Sequence, residues 1–163
     1  MMLHIGFTGT RHGMSEEQRV AVMRVLEDQL DGAMMAARLG FVAHHGDCVG
    51  ADAQFHEIVL WGFRPLGSWI DVHPGPAGDR HRAYSSGYDR IHDPQHHMAR
   101  NRAIVAVSNI MIAAPFEPTP QKRGGTWATI RMALRALRAG KLRDLYVVGR
   151  DGKLMDHSGW RVS

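Results

Sequence analysis

The sequence contains a single cysteine, Cys48, so no disulfide bond can form within the chain. A chain without disulfides fits a reducing compartment, and we therefore expect a cytoplasmic protein. No apolar run is long enough to span a bilayer, and no apolar signal core lies near residue 1. We expect no membrane partner.

Several motifs of common enzyme classes are also missing. No glycine-lysine-serine/threonine element occurs, which argues against ATP hydrolysis of the Walker type, and the three-glycine dinucleotide fingerprint is absent. No HExxH motif, paired CxxC motif or nucleophile elbow is found. The adjacent pairs His44-His45 and His96-His97 point their side chains apart in a strand and in a helix, respectively. We therefore predict no metal site and assign no catalytic residue.

The overall composition is that of an ordinary globular domain. The 163 residues are 44% hydrophobic and 22% charged, which predicts one domain over residues 1–163 with a sizeable core. The formal net charge of +4 fits a phosphate-bearing partner, although many proteins without acidic ligands share such a balance.

Hydrophobic periodicity predicts strands that alternate with helices. The predicted strands lie within residues 3–8, 41–45, 67–74, 109–115 and 142–149. The predicted helices run from about residue 16 into the 30s, over residues 51–62, from Pro94 after an Asp93 N-cap, and from the glycine pair 124–125 to a C-cap at Gly140. This alternation predicts an α/β fold: a Rossmann-like three-layer sandwich with a mainly parallel sheet of about five strands and helices on both faces.

Three further segments have local signals. Ser15 with Gln18 three residues later predicts a capping box at the start of the first helix. Residues 75–92 are rich in Gly, Ser, Tyr, Asp and Arg and show no period, so we predict a long loop that acts as a lid. The Asp-Gly pair within RDGKL (150–154) predicts a small terminal hairpin.

The loops that follow the first four strands should meet at one edge of the sheet, where ligands bind in such folds. They read TGTRHG, GDCVGAD, HPGP and APFEPTPQKRGGT. Three of them carry glycine and lead into helices, whose N-termini offer free N–H groups to an anion. The sequence therefore predicts a site for a phosphate or a nucleotide-like ligand.

Individual residues at this edge allow more than one role. Asp52 in the first turn of a helix either complements the helix dipole, for ~0.3–1 kcal/mol, or, like Asp47, accepts a ribose hydroxyl. His45 and His73 end neighbouring strands and are either ligand-binding or structural. Cys48 is interpreted as a small packing residue.

A row of arginines lies on the last long helix opposite its apolar face. Arg131, Arg135 and Arg138 are spaced by four and three residues and form one basic stripe. Such a stripe is either a solvated face or a surface for nucleic acid.

Taken together, the motifs resemble the SLOG superfamily, which includes the Lonely-Guy phosphoribohydrolases and the DNA-processing protein DprA. The match is with the small stand-alone bacterial and phage branch related to YpsA. The matching segments, in order, are IGFTGTRHGMSEEQ, HHGDCVGADAQFH, HPGP, ARNRAIVAVSNIMIAAP and RGGTWATIR, which span about residues 3 to 131.

The resemblance implies a pocket for a nucleotide or nucleotide-derived small molecule, and we expect a homo-oligomer. Transferred by position, its ligand-binding residues are Thr8, Gly9, Thr10, Arg11, Gly46, Asp47, Gly50, Ala51, Asp52, Arg100, Asn101, Arg123, Gly124, Gly125 and Thr126. His73 and Pro115, which follow the third and fourth predicted strands, complete the predicted site.

The sequence departs from the phosphoribohydrolase motif at three positions. Arg123 stands where the family has proline, Trp127 replaces the third glycine, and Arg131 replaces the catalytic glutamate. A cation therefore occupies the place of the carboxylate that would stabilise an oxocarbenium-like centre. We predict a nucleotide-binding sensor or sequestering protein; the alternatives are a nucleotide N-glycosidase and a DprA-like binder of single-stranded DNA.

Overall fold

One open sheet organises the chain in a computed structural model that describes residues 2–31, 34, 36, 37 and 39–162. The sheet has six strands, in the order β4-β3-β2-β1-β5-β6, and every neighbouring pair is parallel. The strands are β1 (Leu3–Gly9), β2 (Phe41–His45), β3 (Trp69–Val72), β4 (Arg90–Ile91), β5 (Ile110–Ala114) and β6 (Asp144–Val147). The predicted Rossmann-like α/β fold is confirmed.

Four α-helices connect the strands in the described part of the chain. They are α1 (Glu16–Asp28), α2 (Ala51–Ile58), α3 (His97–Val107) and α4 (Gly125–Arg138). A π-helical turn, Val59–Phe63, and a short 3₁₀ turn, Arg64–Leu66, extend α2 towards β3. Within the ranges 2–31 and 39–162 and the three residues between them, no helix is both long enough and apolar enough to cross a membrane.

The helices cover the sheet in two layers. Ile5 and Phe7 of β1 face α1 and α2 and join a cluster with Leu26 and Phe55, whose ring stacks on Phe7 at 4.3 Å. The second cluster lies between α3, α4 and the β5–β6 half of the sheet; its largest members are Ile104, Met111, Trp127, Ile130, Leu134 and Leu145. Because β5 is covered on both sides, its sequence IMIAA is a continuous apolar run, and all five of its residues are buried.

The structure differs from the sequence-based prediction at three boundaries. A sixth strand, β4, lies inside the segment predicted as loop; it has two exposed residues at the sheet edge and therefore no apolar signal. The third helix begins at His97, with His96 as its N-cap, and not at Pro94. Helix α1 ends at Asp28, and the predicted continuation into the 30s lies partly outside the described residues.

Other local predictions hold. Ser15 Oγ accepts the Gln18 N–H at 3.0 Å and the Gln18 side chain accepts the Ser15 N–H, so the capping box forms. The terminal RDGKL segment turns back through an antiparallel bridge between Val148 and Leu154. These contacts depend on neighbours in the chain, which is why sequence patterns predict them.

Candidate functional site

A cavity of about 290 Å³ opens at the carboxyl ends of β1, β2 and β5. This volume is near the lower end of the roughly 300–1,000 Å³ usual for small-molecule pockets. The predicted site residues that line it are Thr8, Gly9, Thr10, Arg11, Gly46, Asp52, Arg100, Asn101, Gly124, Gly125 and Thr126. The parallel sheet brings these residues together because its strands all end at the same edge.

The glycine-rich start of α4 forms one wall of this cavity. Gly124 has φ +103°, a conformation that L side chains rarely adopt, and a Cβ built on Gly125 meets no atom within 4 Å. The Thr126 hydroxyl donates to the Gly9 carbonyl at 3.0 Å and fixes the turn against the end of β1. Because the first N–H groups of a helix have no intrahelical acceptor, this wall presents backbone donors beside open space.

Arg100 of α3 forms the opposite wall and is 4% exposed. Its guanidinium donates to the carbonyl oxygens of Gly46 and, at 3.2 Å, His73, and its Nε donates to Asn101 Oδ1 at 2.7 Å. A Cβ on Gly46 would overlap the guanidinium. Glycine at position 46 therefore permits the buried arginine to reach the ends of β2 and β3.

Asp52 of α2 lies in the cavity wall beside Arg100. Its Oδ2 accepts the backbone N–H of Gly46 at 3.1 Å and of Cys48 at 3.2 Å. Burial raises the pKa of Asp52 to about 6, although the nearby Arg100 charge and the two backbone donors act to lower it. The carboxyl group therefore changes protonation near neutral pH while it faces the cavity.

Six predicted residues do not line the cavity: Asp47, Gly50, Ala51, His73, Pro115 and Arg123. Two of them form the contact between the first loop and α2. The Ala51 N–H donates to the Thr10 carbonyl at 3.0 Å, and a Cβ on Gly50, where φ is +87°, would overlap the Arg11 carbonyl. Gly50 and Ala51 therefore hold the first loop in place against α2 without lining the cavity themselves.

Asp47 holds the loop 75–92. Its carboxylate accepts Arg82 Nε and the Ser85 N–H, both at 3.0 Å, and its carbonyl accepts the Ala83 N–H at 2.7 Å. The carboxylate is 1% exposed, so these contacts leave it unavailable to a ribose. Of the two aspartates, Asp52 is the one that faces the cavity.

The loop 75–92 is tied to the rest of the domain at several other points. The Val49 N–H donates to the His81 carbonyl at 2.8 Å, and His56 Nε2 lies 2.8 Å from the Ser86 carbonyl. No residue of 75–92 is among those that line the cavity. Closure of this segment over a ligand stays a prediction.

Pro115 and His73 contribute through their carbonyl groups, and Arg123 is exposed. The Pro115 carbonyl accepts Gln18 Nε2 at 2.9 Å, which connects α1 with the end of β5. The His73 carbonyl accepts the Arg100 guanidinium, as described above. Both residues therefore support the cavity walls from outside them.

Phe116 and Glu117 are among the cavity-lining residues that the sequence did not predict. The Phe116 ring is 46% exposed and packs against His12, with ring centroids 5.0 Å apart. Glu117 Oε2 accepts the Trp127 indole N–H at 2.8 Å. The proline-rich loop showed no periodic pattern, and only the tertiary partner, Trp127, reveals where Glu117 lies.

The arginine stripe of α4 makes contacts within the chain. Arg131 donates to the carbonyls of Gln121, at 2.6 Å, and Lys122, at 3.2 Å. Arg135 and Arg138 each donate at 2.6 Å to carbonyls of the C-terminal segment, those of Val162 and Trp160. The stripe therefore anchors two loops to α4, and Arg131 does not line the cavity.

Comparison with known proteins finds a similar fold but no matching family. No protein-family model matches the chain, and no curated protein matches it. A solved structure that is similar is the molybdenum cofactor binding protein from the phototrophic bacterium Rippkaea orientalis. The TM-score is 0.57 and the identity 13%, over 91% of this chain and 77% of that one. This likeness supports the α/β fold; membership of the SLOG superfamily stays a prediction.

Proposed function

We propose that the cavity binds a nucleotide or a nucleotide-derived small molecule, and that the protein is a SLOG-like sensor or sequestering protein. The observation that carries this proposal is the start of α4, where two glycines leave backbone donors facing open cavity space. A helix N-terminus favours anions through its free N–H groups and its dipole. The phosphate would lie on the turn 124–126.

The cations that line the cavity also favour an anionic ligand. They are Arg11 and Arg100, and the hydroxyl groups of Thr10 and Thr126 lie at the edge of the cavity. Arginine is well suited to phosphate because its planar guanidinium can donate two parallel hydrogen bonds. Arg100 donates to carbonyl groups of the chain and so contributes its charge, which leaves Arg11 as the arginine proposed to bind the phosphate.

Other residues of the cavity suit a sugar and a base. Asp52 is the carboxylate available to a ribose hydroxyl, since Asp47 is committed to the loop 75–92. Phe116 lines the cavity with a partly exposed aromatic ring, and stacking of a base on such a ring contributes about 1–3 kcal/mol. The similar solved protein is described as binding a cofactor, which supports small-molecule binding on this fold.

The test is binding of AMP, GMP, CMP and UMP by isothermal titration calorimetry, with adenosine as the ligand that lacks phosphate. We expect a monophosphate to bind the wild type more tightly than adenosine does, and Gly125→Val to abolish that binding. A Cβ at position 125 meets no atom within 4 Å apart from its chain neighbours and its own helix, so the circular dichroism of the variant should match the wild type.

The matched control is Gly62→Val. Gly62 likewise has free space around its Cβ position and no positive φ, but it lies in the π-helical turn and not at the cavity. This variant should keep the wild-type affinity. Unchanged affinity in Gly125→Val would contradict the phosphate assignment.

Hydrolysis of an N-glycosidic bond is the second candidate, because two carboxyl groups line the cavity. A group with a pKa near 6, as burial gives Asp52, is suited to general acid–base catalysis at neutral pH. We nevertheless expect that the protein releases no base from nucleoside monophosphates or NAD above a control without protein. Glu117 is hydrogen-bonded to Trp127, and Arg131 stands where the phosphoribohydrolase motif has its catalytic glutamate. Robust release would replace the binding proposal by an enzymatic one.

A further inference from the structure

Three histidines from separate strands meet on one face of the sheet, away from the α2 layer. They are His44 in β2, His73 directly after β3 and His92 directly after β4. One ring nitrogen of each lies within 4.8 Å of those of the other two. This group stands out among the described residues, where no other such cluster of His, Cys, Asp or Glu is found.

The parallel register explains why they meet. His44 pairs with Asp71, and Asp71 pairs with Arg90. His73 and His92 each follow two residues after these partners, and side chains two residues apart along a strand face the same side. In the sequence these histidines are far apart, and only the strand register shows that they form a row across three strands.

Asp71 lies beside the group without being one of the three residues whose ligand atoms all lie within 4.8 Å of one another. Its Oδ2 lies 3.3 Å from His92 Nε2 and 4.0 Å from His44 Nδ1, and His44 Nδ1 lies 3.0 Å from His73 Nε2. In a tetrahedral site with metal–nitrogen distances of about 2.0–2.1 Å, neighbouring ligand atoms are separated by roughly 3.3 Å. The separation between the His44 and His73 nitrogens is close to this spacing.

We propose that His44, His73 and His92 form a binding site for a divalent transition-metal ion of the zinc type, with the Asp71 carboxylate beside it. Three imidazoles match the nitrogen ligands that zinc accepts, and three protein ligands leave a fourth position of the tetrahedron open. The Asp71 carboxylate also offsets the positive charge of Arg90, which lies on the same sheet face.

One histidine of the cluster has an outer hydrogen-bond partner on the side away from the site. His44 Nε2 lies 2.8 Å from His4 Nδ1, which places an outer partner on the ring nitrogen opposite the site. Such partners orient metal-binding histidines and fix their tautomer.

The proposed metal site is separate from the nucleotide cavity. Neither the three histidines nor Asp71 lines that cavity, although the His73 carbonyl accepts Arg100, whose side chain does line it. The neighbouring pair His45 and His56, 2.8 Å apart, is not part of it, because His45 points to the opposite sheet face and packs on Phe55. The proposal therefore does not depend on the nucleotide proposal.

The experiment is titration of the chelator-treated full chain with Co²⁺, followed by visible absorption, and with Zn²⁺, followed by calorimetry. We expect one equivalent of Co²⁺ to give the intense d–d absorption of a tetrahedral site. His92 is the most exposed of the three histidines, so His92→Ala and the more conservative His92→Gln should fold, as circular dichroism would verify. Each should weaken Zn²⁺ binding at least roughly tenfold, since loss of even an outer-shell partner costs about 10–100-fold.

The matched control is His96→Ala, because His96 is exposed and outside the cluster. This variant should retain both the absorption and the wild-type Zn²⁺ affinity. Absence of tetrahedral Co²⁺ absorption in the wild type would overturn the proposal. Equal Zn²⁺ affinity in the wild type and either His92 variant would also overturn it.

Discussion

The buried carboxyl group of Asp52 makes the stability of this protein depend on pH in an unusual direction. Burial raises the pKa of Asp52 from its usual 3.8 to about 6, which corresponds to about 3 kcal/mol of unfolding free energy. Because the folded state holds the proton more tightly than the unfolded state, the favourable contribution is fully present below pH 3.8. It declines as pH rises towards 6 and is absent above that.

Asp52→Asn tests this reasoning directly. The amide oxygen can still accept the N–H groups of Gly46 and Cys48, but asparagine has no proton to lose. Relative to the wild type, the free energy of unfolding of the variant should increase between pH 4 and pH 6 and then level off. Most of the ~3 kcal/mol should appear by pH 8.

The assay is urea denaturation of both proteins at pH 4, 5, 6 and 8, with the difference between them taken at each pH. Asp28→Asn is the control, because Asp28 is exposed at the end of α1, and its difference from the wild type should change little with pH. A pH-independent difference for Asp52→Asn would refute the argument that desolvation dominates at this site.

Three further predictions concern residues in and around the cavity. Gly46→Ala should lower the free energy of unfolding by about 1–3 kcal/mol, because the added Cβ overlaps the buried Arg100 guanidinium. Urea denaturation measures this difference. If the variant were as stable as the wild type, Arg100 would have moved away without a cost in stability. Arg131→Glu should increase hydrogen exchange in residues 116–124 by placing a carboxylate against the carbonyls of Gln121 and Lys122, and it should release no base from nucleoside monophosphates. If the loop 75–92 closes as a lid, its hydrogen exchange should slow when a bound monophosphate is present, and equal protection in both states would count against closure.

Much of the fold follows from patterns that are local in the sequence. The capping box at Ser15, the apolar runs of β1, β2 and β5, and the glycine-opened α4 were all predicted. Each depends on residues within a few positions of one another, where periodicity and capping chemistry are visible. The short edge strand β4 and the start of α3 were missed, because exposed residues and a proline near a helix start have no unique local signal.

The division of roles at the sheet edge was decided by tertiary contacts. Asp47 and Asp52 look equivalent in GDCVGAD, yet Asp47 is bound to Arg82 while Asp52 faces the cavity. The difference arises because Asp47 has φ 56°, which directs it towards the loop 75–92, whereas Asp52 lies in the first turn of α2.

The sequence by itself determined the order of the four helices and of five of the six strands, and the edge at which polar loops gather, since both follow from alternating strands and helices. The tertiary structure alone decided which side chains meet across that sheet. Glu117 with Trp127, Arg131 with the Gln121 carbonyl, and the histidine row of β2, β3 and β4 all join residues at least ten positions apart. Their proximity depends on strand register and loop path, which no local pattern encodes.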